Sequence, residues 1–412
     1  MKCKCKMAVA FLLVLVMLLP LTAFGCGGGE KGVVTIRIGQ LTDFTGSAAP
    51  ALVNITYITE DMIRYYNDEN IIPGVKLKLD AYDTQFNPAR YSLGYDWCKQ
   101  KGDDVIITII ADAPLMLKPF AARDKIVLAS MSGVPELFEP PGWVLGFSSA
   151  TVWSANTLLH WVSENRWDYD TQGIPKLGLV GWNDTNSLIS RDGVEAYLKN
   201  HPGEFDYVGG YISPVGTYTF TAEAQKLKDC DYIANISGSV SGPLLRDLRT
   251  VGSKARLIDC IAAMPSYLKL NVEMVGWEAL DGSLSTAQSY YWTDSSPIVD
   301  MAKEILDRYR PSQADGIMDA GNGYVGPCFM MVGILEVLQQ AIQEVGAENF
   351  NGQAYLDAAL NYKTTSALWE GCPEFGFSQT NRCLMDHTLI CEFQVDKQEI
   401  VTVSDWLSNI VD

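Results

Sequence analysis

Histidine is nearly missing from this chain: His160, His201 and His387 are the only three in 412 residues. His160 lies among apolar residues of a helix-like segment, and His201-Pro202 reads as a loop. A nucleophile, base and orienter set therefore has no spacing to rest on. Enzyme motifs are absent as well: no phosphate loop ending in Gly-Lys-Ser/Thr, no His-Glu-x-x-His, no Gly-x-Ser-x-Gly elbow. Positive charge is scarce. Lys and Arg number 31 against 49 Asp and Glu, a formal net charge of −18. With no basic patch to neutralise phosphates, nucleic acid is excluded as a partner. No Cys-x2-Cys pair exists, and after Phe24 no apolar run is read as a membrane span.

What is present begins at the N-terminus. Lys2, Lys4 and Lys6 precede an unbroken apolar run, Met7 to Leu19, closed by Pro20. A positive segment, a short apolar core and small residues beyond it make an export signal. Ala23-Phe24-Gly25-Cys26 resembles a lipobox, in which the cysteine becomes the lipidated first residue of the mature chain. That resemblance implies a lipoprotein signal peptide over residues 1–25 and a glycine-rich flexible tether over 26–32. The run from Met7 to Phe24 also reaches the lower length limit of a retained membrane anchor. Both readings place the body outside the cytoplasm, exported and held at the outer face of the cytoplasmic membrane or in a periplasm.

After Cys26 come Cys98, Cys230, Cys260, Cys328, Cys372, Cys383 and Cys391. Cys372, Cys383, His387 and Cys391 give Cys-x10-Cys-x3-His-x3-Cys, whose ligand types suit zinc. The exported setting favours a disulfide instead, with Cys372–Cys383 the expected pair, and no metal or other cofactor is expected.

From Val33 onward, strand-like runs alternate with helical periodicity. "VVTIRIGQL", "VKLKLDAY", "VIITII" and "IVLAS" are strands, with helices between them. The series restarts after "GFSSAT" with "KLGLVGW", "YVGGYI", "DYIANIS" and "RLIDCI". Short apolar strands separated by helices imply parallel sheets covered on both faces. Two such series imply an α/β fold of two doubly wound lobes, and the chain is long enough for both. Helices are expected over Pro297–Tyr309 and Pro327–Val345, and "TLICEFQVDKQEIVTVS" reads as a β-hairpin.

In open α/β sheets, ligands bind beyond the carboxyl ends of the strands. The loops there are "TDFTGSAA", "ADAPLM", "SMSG", "WNDTNS", "SGSVSG" and "AAMPSY". They nominate Phe44, Asp112, Ala113, Ser130, Ser132, Gly133, Trp182, Asn186, Ser237, Gly238 and Met264 as ligand-binding residues, with Tyr324 from "GNGYVG". That last stretch fits the dinucleotide pattern, but a loop precedes it and no second strand follows, so it reads as a turn before a helix. The residue types suit a small polar or zwitterionic solute. The same types also cap helices, so each residue alone fits either role.

"IRIGQLTDFTGSAAP", "AYDTQFNPARY", "KIVLASMSGVPEL" and "LLRDLRTVGSKARLI", in this order, resemble the branched-chain amino-acid-type substrate-binding proteins of ABC importers. The resemblance implies a type I periplasmic-binding-protein fold, two lobes joined by three crossovers. Lobes of residues 33–150 with 287–365, and 151–286 with 366–412, are expected. It also implies a monomer without enzymatic activity that passes a small-molecule ligand to an ABC permease while tethered through its lipid anchor. A sensory domain of the same fold, or an exported hydrolase, is the alternative. Where the family offers a hydroxyl to a ligand carboxylate, this chain has Ala111-Asp112-Ala113-Pro114. A carboxylate there repels an acid group and suits an ammonium or a hydroxyl.

Overall fold

The computed structural model describes residues 32–110 and 112–411. The expected signal peptide, the Cys26 lipidation site and all of the tether except Gly32 lie outside the described residues.

Two sheets organise the chain. In the first, β1 (Val34–Thr42), β2 (Val75–Asp83), β3 (Val105–Thr108), β4 (Val127–Ser130) and β5 (Val144–Gly146) run parallel in the order β2-β1-β3-β4-β5. Every residue of β3 and β4 is buried, as their apolar runs require of strands covered by helices on both faces. In the second sheet, β6 (Lys176–Trp182), β7 (Asp206–Ser213), β8 (Tyr232–Asn235), β9 (Arg256–Asp259) and β10 (Leu284–Ala287) are parallel. Strands β11 (His387–Gln394) and β12 (Glu399–Thr402) extend it antiparallel, giving the order β12-β11-β10-β9-β8-β6-β7. The short β13 (Leu407–Ser408) pairs with β11. The expected hairpin is therefore present, with the turn at 395–398.

The strand order reverses beside β1 in one sheet and beside β6 in the other. A doubly wound sheet opens its crevice at such points, beyond the strand carboxyl ends. The chain passes between the sheets along 147–150, then from β10 along 288–296, and returns along 360–386. On its return it runs beside β5: Gly146 N–H donates to Arg382 O at 2.8 Å, and Leu384 N–H to Gly146 O at 2.7 Å.

The helix Ala49–Asp68 buries Ile58, Met62 and Tyr66 along one stripe. The helices Pro297–Tyr309 and Val325–Val345 pack on it, so this late segment belongs with the first sheet. Contrary to the expectation that no apolar run after Phe24 reaches spanning length, Val325–Val345 is long and apolar enough to cross a membrane by length and composition. Its burial explains the composition: Phe329, Met331, Val332, Leu335 and Leu338 are core residues.

The cysteines correct one expectation. Cys372 and Cys383 do not form a disulfide; every cysteine among the described residues is a free thiol. The two are anchored in different places. Cys383 packs with Leu128 and Phe138 and donates its S–H to Ser148 O at 3.0 Å, whereas Cys372 borders a depression with Tyr290 and Trp406. Burial pushes both thiols up to about 12, which leaves them protonated and unreactive.

Candidate functional site

The crevice is built from loops that first stabilise themselves. After β1, the buried Asp43 accepts backbone N–H groups from Thr45 at 3.1 Å and Ala48 at 3.0 Å. Asp83, at the end of β2, accepts from Phe44 N–H at 2.9 Å and Thr45 Oγ–H at 2.7 Å. A Cβ on Gly46 would lie 2.5 Å from the Gln85 carbonyl, so the Thr45-Gly46 turn needs glycine for close approach. These bonds fix the loop so that Ser47 and Ala48 border the crevice. Phe44 is held in the loop and does not line the crevice.

Between the sheets lie two adjoining cavities of 210 and 190 Å³. They share Leu52, Ile109, Ser132, Ile261, Ala263 and Tyr267, and so form one cleft with two compartments. The compartment at the crossovers adds Ser148, Ser149, Gln288, Ser289, Asn322 and Met330. The other adds Asp112, Trp182, Asp184, Asn186, Ser237 and Gly238. Ala262, in the wall of the first, sits in the left-handed region with φ 56°, a strained conformation of the kind that collects at binding sites.

Of the residues nominated from sequence, Asp112, Ser132, Gly133, Trp182, Asn186, Ser237 and Gly238 border this cleft. Five do not. Ser130 is fully buried, with its hydroxyl turned to the Ser132 carbonyl. Ala113 packs in the core under the helix Asp112–Asp124, and Met264 is a buried core residue. Tyr324 is buried with its hydroxyl donating to Asp61 at 3.0 Å. Phe44 is held in the loop after β1, outside the lining of either compartment.

Several cleft residues do structural work. Asp184 caps the helix Thr185–Asn200, accepting Ser187 N–H at 3.0 Å and lying 2.6 Å from the Ser187 hydroxyl. Ser237 Oγ accepts Trp182 N–H at 2.8 Å. The Trp182 indole donates to Thr217 O at 2.9 Å and meets Tyr218 edge-on at 5.5 Å, which fixes its ring in the wall. Asp112 differs from these. Its Oδ1 is buried and has no partner among the described residues. Burial first, and then the Asp184 carboxylate, push its carboxyl up to about 6 against the opposing backbone N–H of Asn186. Burial also raises Asp184, against the hydrogen bonds of its cap. Among the described residues no Lys, Arg or His lines either compartment, so none of their side chains in the cleft neutralises these carboxylates.

A pH dependence follows. Asp112 and Asp259 are raised to about 6 and Asp103 to about 7, all from 3.8 and in each case chiefly by burial. Each binds its proton more tightly folded than unfolded. The stability it contributes is complete below 3.8 and is lost as pH rises through 6 to 7. Thermal unfolding of the ligand-free full chain is therefore expected at a higher midpoint at about pH 5 than at about pH 8. A lower midpoint in acid would show that these carboxylates are not desolvated.

Sequence reasoning missed Leu52, Ile109, Gln288, Ser289, Asn322 and Met330. Leu52 and Met330 lie on apolar helix stripes that read as core. Asn322 sits in "GNGYVG", where Gly321 has φ 123° and a Cβ would come within 1.8 Å of Pro265 O. The turn is a close contact with the opposite loop, and Ser266 Oγ–H donates to Asn322 Oδ1 at 2.7 Å.

The same architecture recurs in solved structures. A branched-chain amino-acid ABC transporter protein from Thermus thermophilus, with bound valine, superposes with a TM-score of 0.77 at 16% identity, covering 92% of this chain and 97% of that one. A fatty-acid ABC transporter substrate-binding protein from Thermomonospora curvata gives 0.73 at 13% identity, covering 91% and 92%. A solute-binding protein from Rhodopseudomonas palustris BisB5, in complex with 3,4-dihydroxybenzoic acid, gives 0.70 at 16%, covering 91% and 96%. At such identities the likeness speaks for the fold, the type I arrangement of two lobes around a cleft. A search of curated proteins finds no sequence match. The model of the family described as Periplasmic binding protein matches residues 35–386, nearly the whole described chain, and the chain belongs to that solute-binding family.

Proposed function

We propose that this protein is an extracytoplasmic solute-binding lipoprotein that captures a small amine-bearing organic solute in the interlobe cleft and delivers it to an ABC importer. The observation that carries the ligand class is Asp112, a half-buried carboxylate whose buried Oδ1 has no hydrogen-bond partner, in a cleft bordered by no basic side chain among the described residues. A buried charge is costly unless paired, and an ammonium group supplies the pair. A second anion there would add repulsion. Serine, asparagine and glutamine side chains in the other compartment suit amide or hydroxyl groups on the same solute, while Ile109, Met330 and Trp182 suit its carbon skeleton.

Residues 33–150 with 287–365 act as one lobe and 151–286 with 366–412 as the other. The ligand draws them together because it touches both, and it shifts the open–closed balance only by that differential affinity. The family's location supports export, and the Cys26 lipobox supports a lipid tether. The importer permease is the partner, and the protein itself performs no chemistry.

A thermal-shift panel on the full chain tests this reading. Primary amines, amino amides and amino acids are expected to raise the midpoint at millimolar concentration, in proportion to ln(1 + [L]/Kd). Matched carboxylic acids without an amine are expected to leave it unchanged. A shift from the acids alone would overturn the proposed ligand class.

A further inference from the structure

Two of the three histidines meet far from the cleft. His160 lies in the second half of the helix Thr151–Asn165, and His201 follows the last residue of the helix Thr185–Asn200. These helices pack against each other, and a Cβ on Gly193 would lie 2.3 Å from Val152, so glycine permits the close approach. Both helices start at the cleft, where Thr151 and Asn186 line it. At ~1.5 Å rise per residue, the two histidines are carried more than ~10 Å away.

There they converge on Glu204. His160 Nδ1 is 3.2 Å and His201 Nδ1 3.5 Å from the same oxygen, Glu204 Oε1. Donor atoms of the three residues all lie within 4.8 Å of one another. A zinc-class ion bound at ~2.0–2.1 Å in tetrahedral geometry needs its ligand atoms about 3.4 Å apart. The two separations from Glu204, 3.2 and 3.5 Å, bracket that value.

The surroundings fit the same role. The Tyr197 hydroxyl donates to the other Glu204 oxygen, Oε2, at 2.7 Å, and Tyr169 O–H donates to the Glu204 carbonyl at 2.9 Å. The Tyr197 ring stacks on His201 at 4.2 Å. His160 Nε2 lies 3.5 Å from the Glu164 carboxylate, so an Nε2–H directed there leaves a lone pair on Nδ1. Without an ion, an Nδ1–H to Glu204 Oε1 at 3.2 Å spans the same gap, so a bound cation takes the place of that proton. A carboxylate behind an imidazole is the usual support of a metal-bound histidine. The His160 side chain is 37% exposed, so an ion reaches the site from solvent.

We propose that His160, His201 and Glu204 bind one divalent transition-metal ion of the zinc class, with water in the fourth position and Glu164 orienting His160. Occupancy would fasten the two helices to the loop that follows them and stabilise the second lobe from its outer side.

Calorimetric titration of Zn²⁺ into the EDTA-treated full chain tests this. One ion per chain is expected, with affinity at least 100-fold lower in His201→Gln and in His160→Gln, and on the order of tenfold lower in Glu164→Gln. Far-UV circular dichroism of each variant checks folding. His160→Gln alters a half-exposed side chain and serves if His201→Gln unfolds. Co²⁺ supplies a second readout, since tetrahedral coordination gives intense visible bands that a purely structural role would not. No Zn²⁺ heat and no Co²⁺ band in the native chain would overturn the site. So would binding that survives both histidine substitutions.

Discussion

Asp112→Asn is expected to weaken capture of an amine ligand by roughly 30- to 1,000-fold. This corresponds to the ~2–4 kcal/mol lost when one partner of a buried charge pair is removed. The substitution preserves shape and removes the charge, and the Asp112 Oδ1 it alters holds no hydrogen bond in the protein. Stability is therefore expected to hold or rise, because burial disfavours the ionised carboxyl. The other acidic cleft residue serves as the control. Asp184 caps a helix, and asparagine caps about as well, so Asp184→Asn is expected to change affinity only a few-fold. The native protein should also lose affinity as pH falls through about 6, where Asp112 takes up its proton, and Asp112→Asn should show no such step. Isothermal titration of both variants across pH measures all of this. Equal losses at the two positions would mean that general cleft charge, not Asp112, holds the ligand.

The second large effect lies outside the cleft. Asp61 is 4% exposed and receives Arg310 Nε at 2.6 Å and the Tyr324 hydroxyl at 3.0 Å. It joins three helical segments, Ala49–Asp68, Pro297–Tyr309 and the start of Val325–Val345. Asp61→Ala leaves a half-buried guanidinium and a buried hydroxyl without their shared acceptor. Breaking such a pair costs ~3–5 kcal/mol, and the lower end is expected because Glu60 still holds Arg310 at 2.8 Å. Tyr324→Phe removes one hydroxyl and is expected to cost about 1 kcal/mol. Neither change should alter ligand affinity, since neither side chain borders the cleft. Denaturant unfolding and ligand titration of both variants separate the effects. Intact stability with lost binding in Tyr324→Phe would place that hydroxyl on the ligand after all.

Tyr324 illustrates how far the sequence could be read. Strands such as β3 and β4 were legible because a short apolar run has few other homes, and the hairpin of β11 and β12 announced itself by its turn. Loop positions were legible as a set, since topology brings strand ends together. Individual roles were not. Serine and aspartate in a strand-to-helix loop serve a cap, a neighbouring hydroxyl or a ligand equally well. Only the partners found in space separate Asp184 and Ser237, whose side chains are engaged, from Asp112, whose Oδ1 has no partner among the described residues. Cys372 and Cys383 looked paired by proximity along the chain, yet each is held in a different core. The meeting of His160 with His201 depends on how two helices cross, which no spacing records.

The most direct test of the account is native mass spectrometry of the full chain isolated from the cell envelope, compared with the same sample denatured and with Asp112→Asn. A small non-covalent mass that contains basic nitrogen and is missing from the variant is expected. A nitrogen-free carboxylic acid, or a ligand retained at equal occupancy by Asp112→Asn, would contradict it.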